Sequence, residues 1–347
     1  MKTKKTILVT GGAGFMGSNF VRHLYEKYPS YRILVLDALT YAGSVENLPV
    51  DINANEGERL SFWYGDVRNG ELVDTLVEQS DAVVHFAAET HVTRSIYDNL
   101  LFFETDVLGT QTVANAVLKY RDRIERFIHI SSSEVYGTAL TPKMGEDHPL
   151  VPLSPYAAAK AGADRLVYSY WTTYEVPAVI LRPFNNFGPY QHLEKAIPRF
   201  ITSCILGDPI RLHGDGMAAR DYVYVKDLCA AVDKVLHANI AKVRGQIFNI
   251  GAGTHRSMLS IARTIVKMMG KSESLITFIG DRPGQVFRHT GDIGRIRKVL
   301  GWRPRVTWER GLQETIDWYR HNREIWSKQL WMRTVPIITK TGKRELH

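Results

Sequence analysis

An α/β fold, with a doubly wound parallel sheet and a smaller C-terminal substrate-binding lobe, is what this sequence predicts. Three observations predict it. Short apolar runs alternate with amphipathic stretches through the first half of the chain. Glycines at 11, 14 and 17 stand between the first apolar run and the first helical stretch. After about residue 185 the alternation gives way to segments punctuated by Pro189, Pro198, Pro209 and Pro283.

The runs 6–10, 32–37, 60–64, 82–86 and 126–130 read as strands. The stretches 15–28, 70–78 and 100–120 between them read as helices. Segment 155–174 reads as a further helix, and Ala178 to Leu181 as the next strand. The expected division is a dinucleotide-binding domain over 1–184, to which 222–250 return, and a smaller lobe over 185–330. A basic tail over 331–347 carries Trp331, Ile337 and Ile338, and is expected to pack on the body or on a partner chain.

The chain has 347 residues, 44% hydrophobic and 23% charged, an ordinary globular mix for one large domain plus a lobe. Disorder, collagen-like repeats and a disulfide scaffold are excluded. The two cysteines, Cys204 and Cys229, point to a reducing cytoplasm, since one bridge would do little for a chain of this size. No stretch reaches the roughly 18 apolar residues that a membrane span needs. The basic start, Met1 to Lys5, precedes an apolar run too short for a signal peptide, and that run leads directly into the glycines.

Lys and Arg number 44 against 36 Asp and Glu, giving a formal charge of +8. These charges are spread along the chain, so nucleic acid is not an expected partner. A solvated surface, with a few arginines meeting an anionic small molecule, accounts for them. The 12 histidines do not fall into ligand spacings with cysteine or carboxylates, so no metal site is expected.

The glycine segment Gly11-Gly12-Ala13-Gly14-Phe15-Met16-Gly17 follows the strand Ile7-Leu8-Val9-Thr10. Gly11 suits a tight turn, Gly14 a close approach to pyrophosphate, and Gly17 close helix packing. The helix start at Phe15 and Met16 then offers unpaired N–H groups and a positive dipole end. Asp37 ends the second strand 20 residues after Gly17, where a carboxylate accepts hydrogen bonds from ribose hydroxyls. It repels a 2′-phosphate, so NAD is favoured over NADP; the plain alternative is a strand-end cap. Asp66 and Val67 follow the third strand and are placed to flank adenine. Ala87 and Ala88 end the fourth strand, where small residues let a cofactor lie against the backbone.

Tyr156 and Lys160 lie one helical turn apart and share a face. A tyrosine of ordinary pKa, about 10, is a poor base at neutral pH. A nearby ammonium and an oxidised nicotinamide both favour the phenolate. Ser131-Ser132-Ser133, at the end of the preceding strand, can orient a substrate hydroxyl.

With these residues the chain resembles the extended short-chain dehydrogenase/reductases with a Rossmann domain, in the NAD-dependent nucleotide-sugar epimerase/dehydratase branch. It is most similar to dTDP-glucose 4,6-dehydratase-like proteins. The likeness lies in Asp37-Ala38-Leu39-Thr40-Tyr41-Ala42-Gly43, Phe86-Ala87-Ala88-Glu89-Thr90-His91-Val92 and Ser133-Glu134-Val135-Tyr136-Gly137. It continues in Asn185-Asn186-Phe187-Gly188-Pro189-Tyr190-Gln191 and Arg220-Asp221-Tyr222, and spans roughly residues 6–320.

The resemblance implies an NDP-hexose 4,6-dehydratase of the dTDP- or UDP-glucose type. Tyr156 removes the O4 proton while the C4 hydride passes to NAD. The new ketone acidifies C5–H, Glu134 takes that proton, and water leaves from C6. Hydride then returns to C6, giving a 4-keto-6-deoxy sugar. One departure stands out. The dTDP-glucose enzymes resemble Thr-Asp-Glu where this chain has Ser132, Ser133 and Glu134. Ser132 still donates to O4, but the Ser133 hydroxyl is too weak an acid to replace the carboxyl. Either Glu134 carries both proton transfers or the reaction is not C6 dehydration. A surface or structural glutamate is the plain alternative for Glu134.

By the same resemblance, Asn186 contacts the diphosphate–sugar region, and Arg220 and Arg282 the diphosphate or ribose. Thr90 and His91 border the sugar, as does Ser133, and Asn249 is a further candidate ligand contact. His91 suits a structural role equally. Arg182 is read as a structural ion pair rather than a specificity residue. A homodimer is expected through the helices of 100–120 and 155–174. The rival functions are a UDP-glucuronate decarboxylase, a 4-epimerase and a noncatalytic NAD-binding regulatory protein.

Overall fold

The computed structural model describes residues 5–52, 59–280, 286–333, 336–338 and 344–346. In chain order the strands of the body are β1 (Thr6–Thr10), β2 (Arg32–Asp37), β3 (Leu60–Tyr64), β4 (Ala82–His85), β5 (Arg126–Ile130), β6 (Ala178–Pro183), β7 (Asn185–Phe187), β8 (Ile210–His213), β9 (Ala219–Arg220), β10 (Tyr222–Tyr224), β11 (Ile247–Ile250), β12 (Arg256–Ser257) and β13 (Ile276–Ile279). Seven of them form one parallel sheet in the order β11-β6-β5-β4-β1-β2-β3. The strand order reverses between β1 and β4, so the crevice at their carboxyl ends is where an open α/β sheet takes its ligand.

The strands are apolar on both faces because helices cover both. Leu8 and Val9 are both fully buried although they point to opposite sides. One face packs against helices Phe15–Lys27 and Val225–His237 through Phe20, Val21, Leu228 and Val232. The other packs against Gly70–Glu78, Thr110–Lys119 and Pro155–Tyr174 through Val73, Val113, Val117 and Val167. A third core, around Phe200, Ile201, Leu312 and Tyr319, belongs to the smaller lobe. This is the doubly wound α/β fold, with a Rossmann-like sheet.

Two expectations are revised. The helix predicted over 100–120 is broken into Asn99–Phe102, a π-helical stretch Phe103–Gly109, and Thr110–Lys119. The return of 222–238 to the main sheet is made by the helix Val225–His237 alone. The strand before it, β10, pairs in parallel with β7 outside the main sheet. β11 does join the sheet edge, Phe248 opposite Leu181 and Asn249 opposite Arg182.

Helix Pro155–Tyr174 carries Tyr156 and Lys160. Ser154 caps it by accepting from Ala157 N at 3.2 Å, and Pro155 opens it, where its missing N–H costs nothing. It stops at Glu175, whose φ of 57° turns the chain out of the helix. The stretch after residue 321 packs on the smaller lobe: Leu193 N donates to Gln329 Oε1 at 3.2 Å, and Arg333 Nη1 to Asp208 Oδ2 at 2.7 Å. Trp331 remains 78% exposed. Among the described residues, no helix is long and apolar enough to cross a membrane.

Candidate active site

A single cleft of about 440 Å³ runs from the glycine loop to the smaller lobe. It is lined by Gly11, Gly14, Asp37, Ser132, Glu134 and Tyr156, among others. The carboxyl ends of β1, β2, β4 and β5 supply its floor, as the strand reversal dictates.

The glycine loop folds tightly against the end of β4. Gly11 has φ of 67°, and its N–H donates to Leu36 O at 2.8 Å. A β-carbon on Gly11 would lie 2.5 Å from Ala87 N, and one on Gly17 only 2.1 Å from Gly11 O. Gly14 is different: its nearest neighbour would be 3.4 Å away, so its side toward the cleft is open. No side chain caps the helix that starts at Phe15. Its first N–H groups therefore face the cleft as an anion site.

Asp37 serves the loop and the cleft together. Oδ2 accepts from Ala13 N at 2.9 Å, and Oδ1 from Leu39 N at 2.8 Å. Burial pushes its pKa up, and the N–H groups of Leu39, Ala13 and Gly14 pull it back part of the way. The strand-end cap and the ribose acceptor are thus compatible, because each oxygen keeps a second lone pair. Asp66 is resisted by burial, but bonds from Arg68 outweigh that and hold its pKa below the ordinary value. Val67 is buried beside it, and Ala87 and Ala88 line the wall opposite. Open Gly14, an uncapped helix start, a cleft-lining carboxylate and small strand-end residues together fit a dinucleotide.

Ser132, Ser133, Glu134, Tyr156 and Lys160 are brought together in the cleft. Ser132 Oγ accepts from Glu134 N at 3.1 Å, which starts the 3₁₀ turn Ser133–Tyr136 and leaves the hydroxyl hydrogen to donate. Lys160 is buried, and its Nζ donates to Ile130 O at 2.8 Å. Burial lowers the pKa of Lys160, and Asp106 and Asp164 oppose that.

Lys160 is not among the groups that chiefly set the Tyr156 phenol. Burial raises the phenol well above its ordinary range. Ser132 and Thr90 lower it by hydrogen bonding, while Asp106 and Glu134 raise it. Two nearby carboxylates therefore add to burial in resisting the phenolate.

Asp106 gave no signal in the sequence, because it lies within an apparently regular helix. Its Oδ1 accepts from Glu89 N at 2.7 Å, and Oδ2 has no hydrogen-bond partner among the described residues. Burial pushes its pKa up to about 7 against the pull of Lys160.

Thr90 and His91 border the cleft. Thr90 Oγ1 accepts from Lys195 Nζ at 3.1 Å. His91 has φ of 110° and caps helix Val92–Tyr97 by accepting from Arg94 N at 3.4 Å. Behind them lies a network that the sequence did not reveal. Glu194 accepts from Tyr41 at 2.7 Å and Arg94 at 3.1 Å, with Lys195 Nζ 3.4 Å away. Burial opposes its charge, yet Lys195, His91, His192 and Tyr41 hold its pKa down at about 2.

In the smaller lobe, Asn186 lines the cleft and its Nδ2 donates to Phe184 O at 2.8 Å. Arg220 is 6% exposed and donates to Ala219 O at 3.0 Å, and among the described residues it forms no ion pair. A buried guanidinium of this kind is suited to a phosphate. Arg282 lies outside the described residues. Asn249 is a correction. It is fully buried and does not line the cleft. Its Oδ1 accepts from Tyr136 at 2.7 Å, and its Nδ2 donates to Met144 O at 2.9 Å and Asp292 O at 3.2 Å. Its polar atoms are committed to joining β11 to the loops beside it. Arg182 is likewise buried, bound to Asp164 of helix Pro155–Tyr174. Among the described residues, no group of His, Cys, Asp and Glu is arranged to hold a metal.

The sequence model of the family described as GDP-mannose 4,6 dehydratase matches residues 8–315. A low-salt glycan biosynthesis protein of Haloferax volcanii, Agl12, is 46% identical over 90% of this chain and 98% of its own. A dTDP-glucose 4,6-dehydratase of Streptomyces niveus is 42% identical over 92% of this chain and 94% of its own. The crystal structure of DesIV, a dTDP-glucose 4,6-dehydratase of Streptomyces venezuelae with NAD and TDP bound, superposes with a TM-score of 0.88. It is 41% identical and covers 93% of this chain and 99% of its own. A UDP-glucuronic acid 4-epimerase of Bacillus cereus superposes at 0.83 with 28% identity, over 91% of this chain and 99% of its own. On these matches the chain belongs to the GDP-mannose 4,6 dehydratase family, within the extended short-chain dehydrogenase/reductases.

Proposed function

We propose that the protein is an NAD-dependent nucleotide-hexose 4,6-dehydratase, a lyase of deoxysugar biosynthesis acting on a dTDP- or UDP-linked glucose. The observation that carries this reading is Glu134. It stands in the same cleft wall as Ser132 and Tyr156, where a 4-epimerase has no step for a carboxylate to perform. Relatives of nearly the same length that bear the dehydratase name support it.

Each residue then has a task. The uncapped helix at Phe15, with Gly14, would hold the pyrophosphate of NAD, and Asp37 its ribose. Bound there, NAD would supply a reversible two-electron store and a positive charge when oxidised. Ser132 donates to O4 of the sugar, and Tyr156 takes the O4 proton as C4 is oxidised. Lys160 lines the cleft beside them, its Nζ anchored on Ile130 O. The C4 ketone acidifies C5–H, so Glu134 can remove that proton. Ser133 cannot act as an acid, so Glu134 also protonates the departing C6 hydroxyl. Arg220 and Asn186 hold the diphosphate end, with Thr90 and His91 beside the sugar.

Product mass tests this. Incubation with a panel of sugar nucleotides should give loss of one water, and in deuterium oxide the product should carry deuterium at C5. Loss of carbon dioxide assigns a decarboxylase, and unchanged mass an epimerase.

We further infer a homodimer. Leu100, Phe103, Leu108 and Tyr168 are exposed on the helices expected to pair, a large apolar area for a free surface. Residues 1–184 with the later returning segments act as the cofactor domain, and 185–330 chiefly as the sugar-nucleotide lobe. The free, buried thiols of Cys204 and Cys229 suit the cytoplasm.

A further inference from the structure

His289 belongs to none of the motifs singled out in the sequence. Its backbone N–H donates to Ala219 O at 3.1 Å, beside Arg220, and this brings its ring behind Glu134. The ring is fully buried. Its Nε2 lies 2.5 Å from Gly137 O. A carbonyl can only accept, so this contact keeps the proton of a neutral ring on Nε2. Nδ1 is left as a bare acceptor, with no hydrogen-bond partner among the described residues. It faces Glu134 Oε1 at 4.0 Å.

That separation is too long for a hydrogen bond. Closing it needs a movement of about 1 Å, and contacts of this kind tighten when a site is loaded. The Glu134 side chain is 18% exposed and has the cleft on its other side. The remaining charged groups acting on His289 are Arg220 and His148. Burial lowers the pKa of the imidazole, Glu134 raises it, and Arg220 and His148 lower it; the balance is downward. The ring therefore meets Glu134 as a neutral acceptor.

We propose that His289 is a positioning residue for Glu134, whose bare Nδ1 accepts the hydrogen of the newly formed Glu134 carboxylic acid and holds it until C6–O breaks. This rests on the dehydratase reading. The need arises because Ser133 leaves one carboxyl to act twice. The C5–H bond breaks, its electron pair enters the enolate of the C4 ketone, and the proton joins a Glu134 oxygen. That O–H bond then breaks as C6–O breaks, and the proton leaves with the hydroxyl as water. In between, an unheld proton would exchange with water in the cleft.

Two substitutions separate this role from packing. In His289→Gln the amide nitrogen can reach the place of Nε2 and keep the Gly137 bond, but the acceptor facing Glu134 is lost. In His289→Asn the amide oxygen can take the place of Nδ1, but the Gly137 bond is lost. Both are compared with the parent on dTDP-glucose and UDP-glucose in deuterium oxide. The readouts are transient nicotinamide reduction, water loss, and deuterium at C5 of recovered substrate. His289→Gln should reduce the transient little, cut water loss roughly ten-fold or more, and raise C5 exchange relative to elimination. His289→Asn should keep most of the parent ratio. A parent ratio in His289→Gln, or a greater loss in His289→Asn, overturns the inference. So does equal loss of all three readouts in both variants, which assigns the ring to packing. If the parent itself loses no water from either sugar nucleotide, the dehydratase reading falls too; if it does and His289→Gln matches it, only the inference falls.

Discussion

Arg182 grips Asp164 with two parallel hydrogen bonds, Nε to Oδ2 at 2.8 Å and Nη2 to Oδ1 at 2.9 Å. Both side chains are essentially out of water. Ser131 donates to the same carboxylate at 2.7 Å, and Arg182 Nη1 donates to Tyr136 at 3.0 Å. The pair therefore fixes helix Pro155–Tyr174 to the ends of β5 and β6, next to the strand end that carries Ser132. Arg182→Met should destabilise the protein by about 3 kcal/mol, because it leaves a buried charge with less compensation. Urea unfolding checks this. Adding Asp164→Leu should recover part of the loss, and a neutral single substitution would contradict the account.

Glu134→Gln should leave C4 oxidation intact and reduce water loss by roughly 10²-fold or more. Rapid mixing that follows nicotinamide absorbance, together with product mass, separates the two steps. Tyr156→Phe should instead suppress the oxidation itself. If Glu134→Gln turned over at the parent rate, Glu134 would have no place in the proton transfers.

Glu194 predicts an acid limb in stability. Its folded pKa is about 2 against an ordinary 4.5, so the unfolded chain takes the proton more readily. Its contribution is full above about 4.5 and is lost as pH falls toward 2. The contribution is on the order of 3 kcal/mol at neutral pH. Thermal unfolding of Glu194→Gln should show a lower midpoint at neutral pH and a flatter decline below pH 4.5 than the parent.

Asp37→Ser should weaken NAD binding by roughly ten-fold and narrow the preference over NADP, since a charge-assisted bond to ribose and a repulsion of 2′-phosphate are removed together. Calorimetric titration with both dinucleotides measures it. Unchanged discrimination would assign Asp37 to capping the loop alone.

Much of this was legible in the sequence, for local reasons. The five early strands announced themselves by short apolar runs, and segment 155–174 read as a helix ahead of the next strand. Gly11, Gly17 and Asp37 could be placed because spacing alone fixes their relation to a strand end. What was not legible depends on distance along the chain. His289 meets Gly137 and Glu134 across about 150 residues, and no periodicity reports such a meeting. Asp106 was hidden because 100–120 reads as one regular helix, whereas Phe103–Gly109 is π-helical and buries it. Asn249 was misplaced for the opposite reason. Its neighbourhood resembles a ligand-binding strand end, but Tyr136, Met144 and Asp292 have already claimed its amide.

β11 comes from residue 247 onward yet completes the edge beside β6, which ends at residue 183. A chain emerging from the ribosome thus carries the first six strands of the main sheet for more than sixty residues with that border bare. Bare borders of this kind recruit other strands. Synthesis of this protein therefore passes through an interval of exposure to aggregation, one that ends only when the first part of the smaller lobe has been made and the last strand arrives.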